Sequence, residues 1–160
     1  MTIDPTVADL LAKARTAQAL YEKFNQAEVD DVVAAIAWVV LEPVRNQHLS
    51  ERAVEDTGLG DVDDKFTKNH RKTLGLLRDL TGAPSVGVIA TDSERGLIEI
   101  ARPIGVVGAI TPSTNPVATP TNKVMNALKG GNAIILAPSP RGEAVCGELV
   151  ALFRDALAKG

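Results

Sequence analysis

Residues 101–142 alternate between apolar and polar segments in an order that few folds allow. An apolar strand is followed by a polar loop held between prolines, a helix, a second apolar strand and a second such loop. This order is typical of a parallel α/β sheet, whose strands are joined by crossover helices. Strands are predicted at 106–110 and 133–136, with helices at about 116–129 and 142–158. Both loops then lie at strand carboxyl ends, where open α/β sheets bind ligands.

The first 84 residues predict helices only. Apolar residues recur at helical spacing, with one stripe along the first helix and a second helix that is apolar nearly all round. Asp4 and Pro5 are a typical helix start, and Gly58 can adopt the left-handed conformation that ends a helix. The predicted helices are 6–25, 26–42, about 44–57 and 62–80. The fourth is expected to turn four apolar side chains inward: Phe66, Leu74, Leu77 and Leu80.

Residues 86–91 and 97–102 flank a polar turn and predict a β-hairpin. An isolated hairpin is only marginally stable in water, so this one is expected to pack on something, such as another subunit. The predicted fold class is therefore α/β. A helical segment (1–84) and the hairpin (85–103) precede βαβα units of an incomplete Rossmann-like parallel sheet (104–160).

The two apolar strands are continuous, which is typical of a parallel sheet covered on both faces. Two parallel strands do not form a stable doubly wound sheet, so further strands are expected from sequence beyond residue 160 or from another chain. The Gly105 to Gly108 pattern precedes its strand, whereas the GxGxxG fingerprint follows one. A standard phosphate loop is therefore not predicted.

Composition excludes several functions. The net charge is −3 and the basic residues are scattered, so nucleic acid is not an expected partner. The longest apolar run, 32–41, is half of the ~20 residues needed to cross a bilayer, so no membrane partner is expected. One cysteine and an acidic amino terminus favour a cytoplasmic location. His48 and His70 have no ligand spacing around them, so no metal site is predicted.

The first loop, 111–116, gathers four hydroxyl or amide residues around Pro112 and Pro116, which stiffen the backbone. Two compatible interpretations remain open. A stiff polar loop at a strand end can hold donors at a developing oxyanion. Alternatively, Thr114 or Asn115 caps the following helix, with Pro116 in its first turn.

The second loop, 137–142, also joins a strand to a helix. The amino end of that helix could face a phosphate or ribose, with Arg141 adding a charged contact. The alternative is a rigid turn with a solvated arginine. Cys146 shares an apolar helical face with Leu149 and Phe153, so it is predicted to be a buried, unactivated thiol.

Three segments together resemble the aldehyde dehydrogenase superfamily, and in particular its CoA-acylating branch. PIGVVGAITPSTNP (103–116) and ILAPSPRG (135–142) resemble that branch's two signature loops. ERAVEDTGLGDVDDKFTKN (51–69) resembles the family's helical segment that ends in ETG-x-G and continues with D-K-x-x-K-N. The resemblance runs in order over nearly the whole chain.

The resemblance implies oxidation of a small aldehyde to acyl-CoA, or the reverse reduction, with NAD or NADP as cofactor and coenzyme A as cosubstrate. It also implies a homo-oligomer that uses a hairpin of this kind. Thr114 and Asn115 are then the candidates on the oxyanion side. The implied cofactor-binding positions are Ile110, Thr111, Pro112, Ser113, Ala137, Pro138, Ser139, Pro140 and Arg141.

The departures from the family pattern are also informative. The hydrolytic branch usually has asparagine two residues after the loop's first proline, where Thr114 stands here. Ala137 and Pro140 replace the lysine and glutamate that contact the ribose, which leaves NAD versus NADP open. Both departures resemble the acylating branch. The family's catalytic cysteine lies downstream of residue 160, so this chain alone is expected to be inactive. The alternatives are a truncated, non-catalytic module or a hydrolytic or acyl-phosphate-reducing relative.

Overall fold

The computed structural model describes residues 3–159, which form four amino-terminal helices, a hairpin and a βαβα unit, as predicted. A single 3₁₀ turn, Pro140–Gly142, precedes the last helix. The helices are α1 (Pro5–Tyr21), α2 (Gln26–Leu41), α3 (Pro43–Thr57), α4 (Val62–Leu80), α5 (Ala118–Lys129) and α6 (Glu143–Leu157). The strands are β1 (Gly87–Asp92), β2 (Leu97–Ala101), β3 (Val106–Thr111) and β4 (Ala133–Pro138). Among these helices, none is long and apolar enough to span a bilayer.

Local capping chemistry sets the helix boundaries. The Asp4 side chain accepts a hydrogen bond from the backbone N–H of Thr6 at the start of α1. Asn25 and Glu28 form a reciprocal capping box that begins α2. Because Asn25 already starts α2, α1 ends at Tyr21 rather than at the predicted residue 25. Gly58 ends α3 in the left-handed conformation, with φ of 65°.

Helix α2 forms the centre of the core and contacts α3, α4, α5 and α6. Ile36 and Val40 are fully buried and pack with Met125 of α5 and Leu149 of α6. Helix α1 lies outside this core, and most of its apolar stripe is exposed. Its buried residue is Gln18, whose side chain donates to the Gly131 carbonyl and accepts from the Ala133 N–H.

Helix α4 differs from its prediction. Leu74, expected inside, is 46% exposed, whereas Phe66, Leu77 and Leu80 are half-buried. The buried positions carry polar side chains instead: Lys65, Asn69 and Thr73. These residues follow one another at i, i+4 and i+8 and so lie along one face of the helix. Asn69 donates to the Ser50 hydroxyl (3.2 Å), which compensates its loss of water.

Strands β1 and β2 form the predicted antiparallel hairpin, with an irregularity between Val88 and Ala90. The Asp92 carboxylate accepts hydrogen bonds from the Glu94 and Arg95 N–H groups and closes the turn. Four apolar side chains of the hairpin are each more than half exposed: Val88, Leu97, Ile98 and Ile100. Within residues 3–159, no element covers them, so the expected packing partner is not part of the described fold.

Strands β3 and β4 pair in parallel, from Val106 opposite Ala133 to Thr111 opposite Pro138. Thr111 is buried, whereas the adjacent Ile110 is 82% exposed. Successive strand residues point to opposite faces, so one face of this sheet is covered at its carboxyl end and the other is open. The expectation of two covered faces is therefore wrong for the described residues. The reason is that this two-stranded sheet lacks helices on its second face at that end.

Candidate functional site

The two proline-bracketed loops lie side by side at the carboxyl edge of the β3–β4 sheet. The Ser139 N–H donates to the Thr111 carbonyl (3.0 Å), which extends the strand pairing into the loops. The ring of Pro116 packs directly against Gly142, because a methyl group added at Gly142 would lie 2.9 Å from the Pro116 Cβ. The two predicted loops therefore form one continuous surface, at the edge where parallel sheets bind ligands.

The first loop exposes part of its polar content and buries the rest. Pro112 and Thr114 are exposed, Ser113 and Asn115 are half-buried, and Thr111 is buried at the end of its strand. The loop leads into α5, and the Thr119 N–H in the first turn of that helix donates to the Asn115 carbonyl (3.3 Å).

The helix-cap interpretation of this loop is wrong. Helix α5 begins at Ala118, its N-cap residue is Val117, and no side chain caps it. Pro116 accordingly lies before the helix rather than in its first turn. The Pro116 ring packs against Gly142 of the second loop instead. The side chains of Thr114 and Asn115 are therefore not used for capping.

The Asn115 side chain carries an unpaired oxygen. Its Oδ1 is buried and accepts no hydrogen bond from the part of the chain that the structure describes. A buried polar atom without a partner costs about 1–3 kcal/mol, so native structures rarely retain one without a use. This observation favours a loop that contacts a ligand or a further segment of protein.

Lys65 of α4 also belongs to the site, although the sequence analysis did not select it. Its Nζ donates to the Thr114 carbonyl (2.7 Å), and its side chain is only 5% exposed. Burial, with a smaller contribution from Lys68, lowers the pKa of the Lys65 ammonium below its ordinary value. Gly60 packs beside the side chain, since a methyl group there would lie 3.4 Å from the Lys65 Cε, an ordinary van der Waals distance. The D-K-x-x-K-N run was the sequence signal that contained it.

The second loop presents its side chains more openly than the first. Ala137, Pro140 and Arg141 are exposed, and Pro138 and Ser139 are half-buried. The Ser139 side chain makes no capping hydrogen bond. The Arg141 guanidinium forms no ion pair with any residue from 3 to 159, so it is available to a ligand.

The amino end of α6 is already occupied by a carboxylate. Asp56 of α3 accepts a hydrogen bond from the Val145 N–H (2.7 Å) and lies 3.5 Å from the Arg52 guanidinium. A carboxylate in this position stabilises the positive end of the helix dipole. An anionic phosphate would be repelled there, so of the two ligand groups considered for this helix end, a ribose fits better. No sequence pattern indicated this contact between α3 and α6.

Cys146 lies in α6 and is buried against the core. Burial raises the pKa of its thiol, which disfavours the nucleophilic thiolate. This matches the prediction of an unactivated thiol. Over the described residues, no group of three histidine, cysteine or acidic side chains is arranged to hold a metal ion.

Comparison with known proteins shows the family and the fold of the chain. The model of the aldehyde dehydrogenase family matches residues 4–160. The sulfoacetaldehyde dehydrogenase (acylating) of Cupriavidus necator is 60% identical over 153 residues, which cover 96% of this chain and 31% of the relative. An acetylating aldehyde dehydrogenase from Geobacillus thermoglucosidasius superposes with a TM-score of 0.91 at 34% identity, covering 96% of this chain and 34% of that one.

A propionaldehyde dehydrogenase from Rhodopseudomonas palustris, solved with bound CoA and an acylated cysteine, gives a TM-score of 0.79 at 32% identity. The match covers 93% of this chain and 33% of that one. The chain therefore spans about a third of the length of these relatives. The match to the family model over almost all residues, together with these relatives, shows that the chain belongs to the aldehyde dehydrogenase family.

Proposed function

We propose that this chain is the amino-terminal part of a CoA-acylating aldehyde dehydrogenase. Such an enzyme oxidises a small aldehyde to its acyl-CoA with NAD or NADP, or catalyses the reverse reduction. The observation that carries the proposal is the meeting of the two polar loops at one sheet edge, with the Asn115 oxygen buried and unpaired. The acylating relatives support it, since their names specify this reaction class.

We assign the oxyanion side of the reaction to Thr114 and Asn115. The Asn115 carboxamide and the loop backbone offer hydrogen-bond donors at a rigid strand end, which is the arrangement that stabilises a developing oxyanion. The nucleophilic cysteine is expected in the part of the relatives that this chain does not span. Residues 3–159 therefore contribute positioning and electrostatic stabilisation, but no nucleophile.

We assign the dinucleotide to the surface formed by both loops, and when bound it accepts the hydride. Ser139 can donate to a ribose hydroxyl, while exposed Ala137 and Pro140 leave room beside it. The loop 137–142 itself carries no carboxylate, so its own residues leave the choice between NAD and NADP open. The remaining proposed contacts are Ile110, Thr111, Pro112, Ser113, Pro138 and Arg141.

The proposed segments keep their sequence-based bounds. Residues 1–84 form a helical segment, 85–103 an oligomerisation hairpin, and 104–160 the first half of the cofactor domain. The four exposed apolar side chains of the hairpin support a homo-oligomer, because exposed apolar clusters mark contact surfaces. The proposed location is the cytoplasm.

The test compares two proteins: this 160-residue chain and the same chain extended to the length of its relatives. Sulfoacetaldehyde is the first substrate to assay, because the relative that is 60% identical is named for it. The extended protein is expected to form NADH or NADPH only when CoA is present, and the short chain to form none. Activity without CoA would instead indicate a hydrolytic relative. Activity of the short chain would contradict the expectation that the nucleophilic cysteine lies outside these 160 residues.

Asn115→Ala tests the assigned role in the extended protein. Loss of one oxyanion donor is expected to lower kcat by about 10²–10³-fold. Ser93→Ala, in the exposed hairpin turn far along the chain from both loops, is the matched control and should retain full activity. An unchanged kcat in the Asn115→Ala variant would show that the Asn115 side chain does not stabilise the oxyanion.

A further inference from the structure

Lys65 is a buried cation whose only hydrogen-bond acceptor in the described residues is a backbone carbonyl. An ammonium has three donors, and here one of them is used by the Thr114 carbonyl (2.7 Å). No carboxylate from residues 3–159 lies within 4.0 Å of its Nζ. Burying such a group is costly unless it is paired, so this lysine differs from an ordinary surface lysine.

The contact joins α4 to the first loop across 49 residues of sequence. Few other interactions fix this part of the loop. Pro112 and Pro116 restrict the backbone dihedral angles, but no loop side chain caps α5, and Asn115 Oδ1 is unpaired. Lys65 is thus the one side chain of the described fold that holds the middle of the loop.

Peptide geometry gives this contact a consequence on the other side of the loop. In a trans peptide, the carbonyl of one residue and the N–H of the next point in opposite directions. Because the Thr114 carbonyl points at Lys65, the Asn115 N–H points away from α4. Among the described residues, that N–H has no acceptor. Lys65 therefore orients the backbone N–H of Asn115, a donor with no acceptor in the described residues.

We propose that Lys65 is a positioning residue: by holding the Thr114 carbonyl, it fixes the 114–115 peptide so that the Asn115 N–H faces the reacting oxygen. Its catalytic consequence rests on the proposed function, whereas the structural contact does not. The backbone donor of Asn115 would then supplement its side chain at the developing oxyanion.

The contact itself is tested by NMR on the 160-residue chain. In the unmodified chain, the Lys65 ammonium hydrogens are expected to exchange with water much more slowly than those of exposed Lys68, one turn away. In Lys65→Met, which keeps the unbranched stem but lacks the terminal ammonium, the signals of the Thr114 carbonyl and the Asn115 amide are expected to move. Lys68→Met should leave them in place, and Lys65→Arg should restore most of the original positions, because it retains a charged donor.

Three results would overturn the contact: Lys65 hydrogens that exchange as fast as those of Lys68, loop signals that do not move in Lys65→Met, or equal shifts in both methionine variants. The exchange measurement needs no substitution, so it decides the question even if Lys65→Met does not fold.

The catalytic consequence is tested in the protein extended to the length of its relatives. Lys65→Met is expected to lower kcat by about tenfold to a hundredfold while the KM for the cofactor stays nearly constant, because small displacements of a catalytic donor mainly affect the transition state. A raised KM with unchanged kcat would overturn a positioning role. If the unsubstituted extended protein has no activity, the proposed function fails, and the NMR measurements still decide whether Lys65 holds the loop.

Discussion

The two loops at the sheet edge share a sequence pattern but are held in different ways. Residues 111–116 are fixed by a charged side chain from a distant helix, Lys65. Residues 137–142 are fixed by their own backbone: the Ser139 N–H donates to Thr111, and the Gly142 N–H donates back to the Ser139 carbonyl (2.9 Å). In the second loop, the Ser139 side chain thus makes no capping hydrogen bond, and the exposed Arg141 side chain forms no ion pair with residues 3–159.

This difference indicates separate tasks for the two loops. A loop fixed through its carbonyl presents backbone donors accurately, which suits stabilisation of a reacting oxygen. A loop that fixes its backbone locally leaves side chains such as Ser139 and Arg141 available, which suits recognition of a bound cofactor. The two loops pack against each other where Pro116 meets Gly142, so a displacement of one loop is expected to move the other.

The largest effect on stability is expected from Gly142→Ala, which places a methyl group 2.9 Å from the Pro116 Cβ. Neither the proline ring nor the buried turn can move easily, so the free energy of unfolding should fall by about 1–3 kcal/mol, as for other overpacked sites. Urea unfolding followed by circular dichroism measures it. The first loop should shift as well, since Pro116 belongs to it.

Gly147→Ala is the matched control for this substitution. Gly147 lies one turn further along, in α6, and an added methyl group there meets nothing within 4 Å. Replacing an unobstructed helical glycine by alanine should stabilise the chain by about 0.5–1 kcal/mol. If both variants change stability in the same direction, the two loops are not packed against each other as described.

The anchors of the two loops differ in how far the sequence could predict them. Asn25 and Gly58 marked helix boundaries correctly, because capping depends on residues a few positions apart. Lys65 and Asp56 were not foreseen. Their roles depend on which helix faces meet in three dimensions, and a charged residue in a helix is usually exposed. The loops themselves were predictable, whereas their attachment was not.

The next largest effect is expected at Asp56, which anchors the helix that follows the second loop. Asp56→Ala removes the acceptor for the Val145 N–H, so the free energy of unfolding should fall by about 0.5–2 kcal/mol, the usual range for a lost helix cap. Glu55→Ala is the control, since Glu55 is exposed and its ion pair within residues 3–159 is with Arg52 of the same helix. Equal losses in the two variants would show that α6 does not depend on α3 for its cap.

The smallest effect on stability is expected from Ser139→Ala. The hydroxyl makes no capping hydrogen bond, so unfolding should change by no more than about 0.5 kcal/mol. If the second loop serves recognition, the same variant in the extended protein should bind NAD(P)H up to about tenfold more weakly, which corresponds to one lost hydrogen bond. Fluorescence titration of the reduced cofactor measures the affinity. A variant that loses stability but not affinity would assign Ser139 to the framework, and the division of tasks between the two loops would then be wrong.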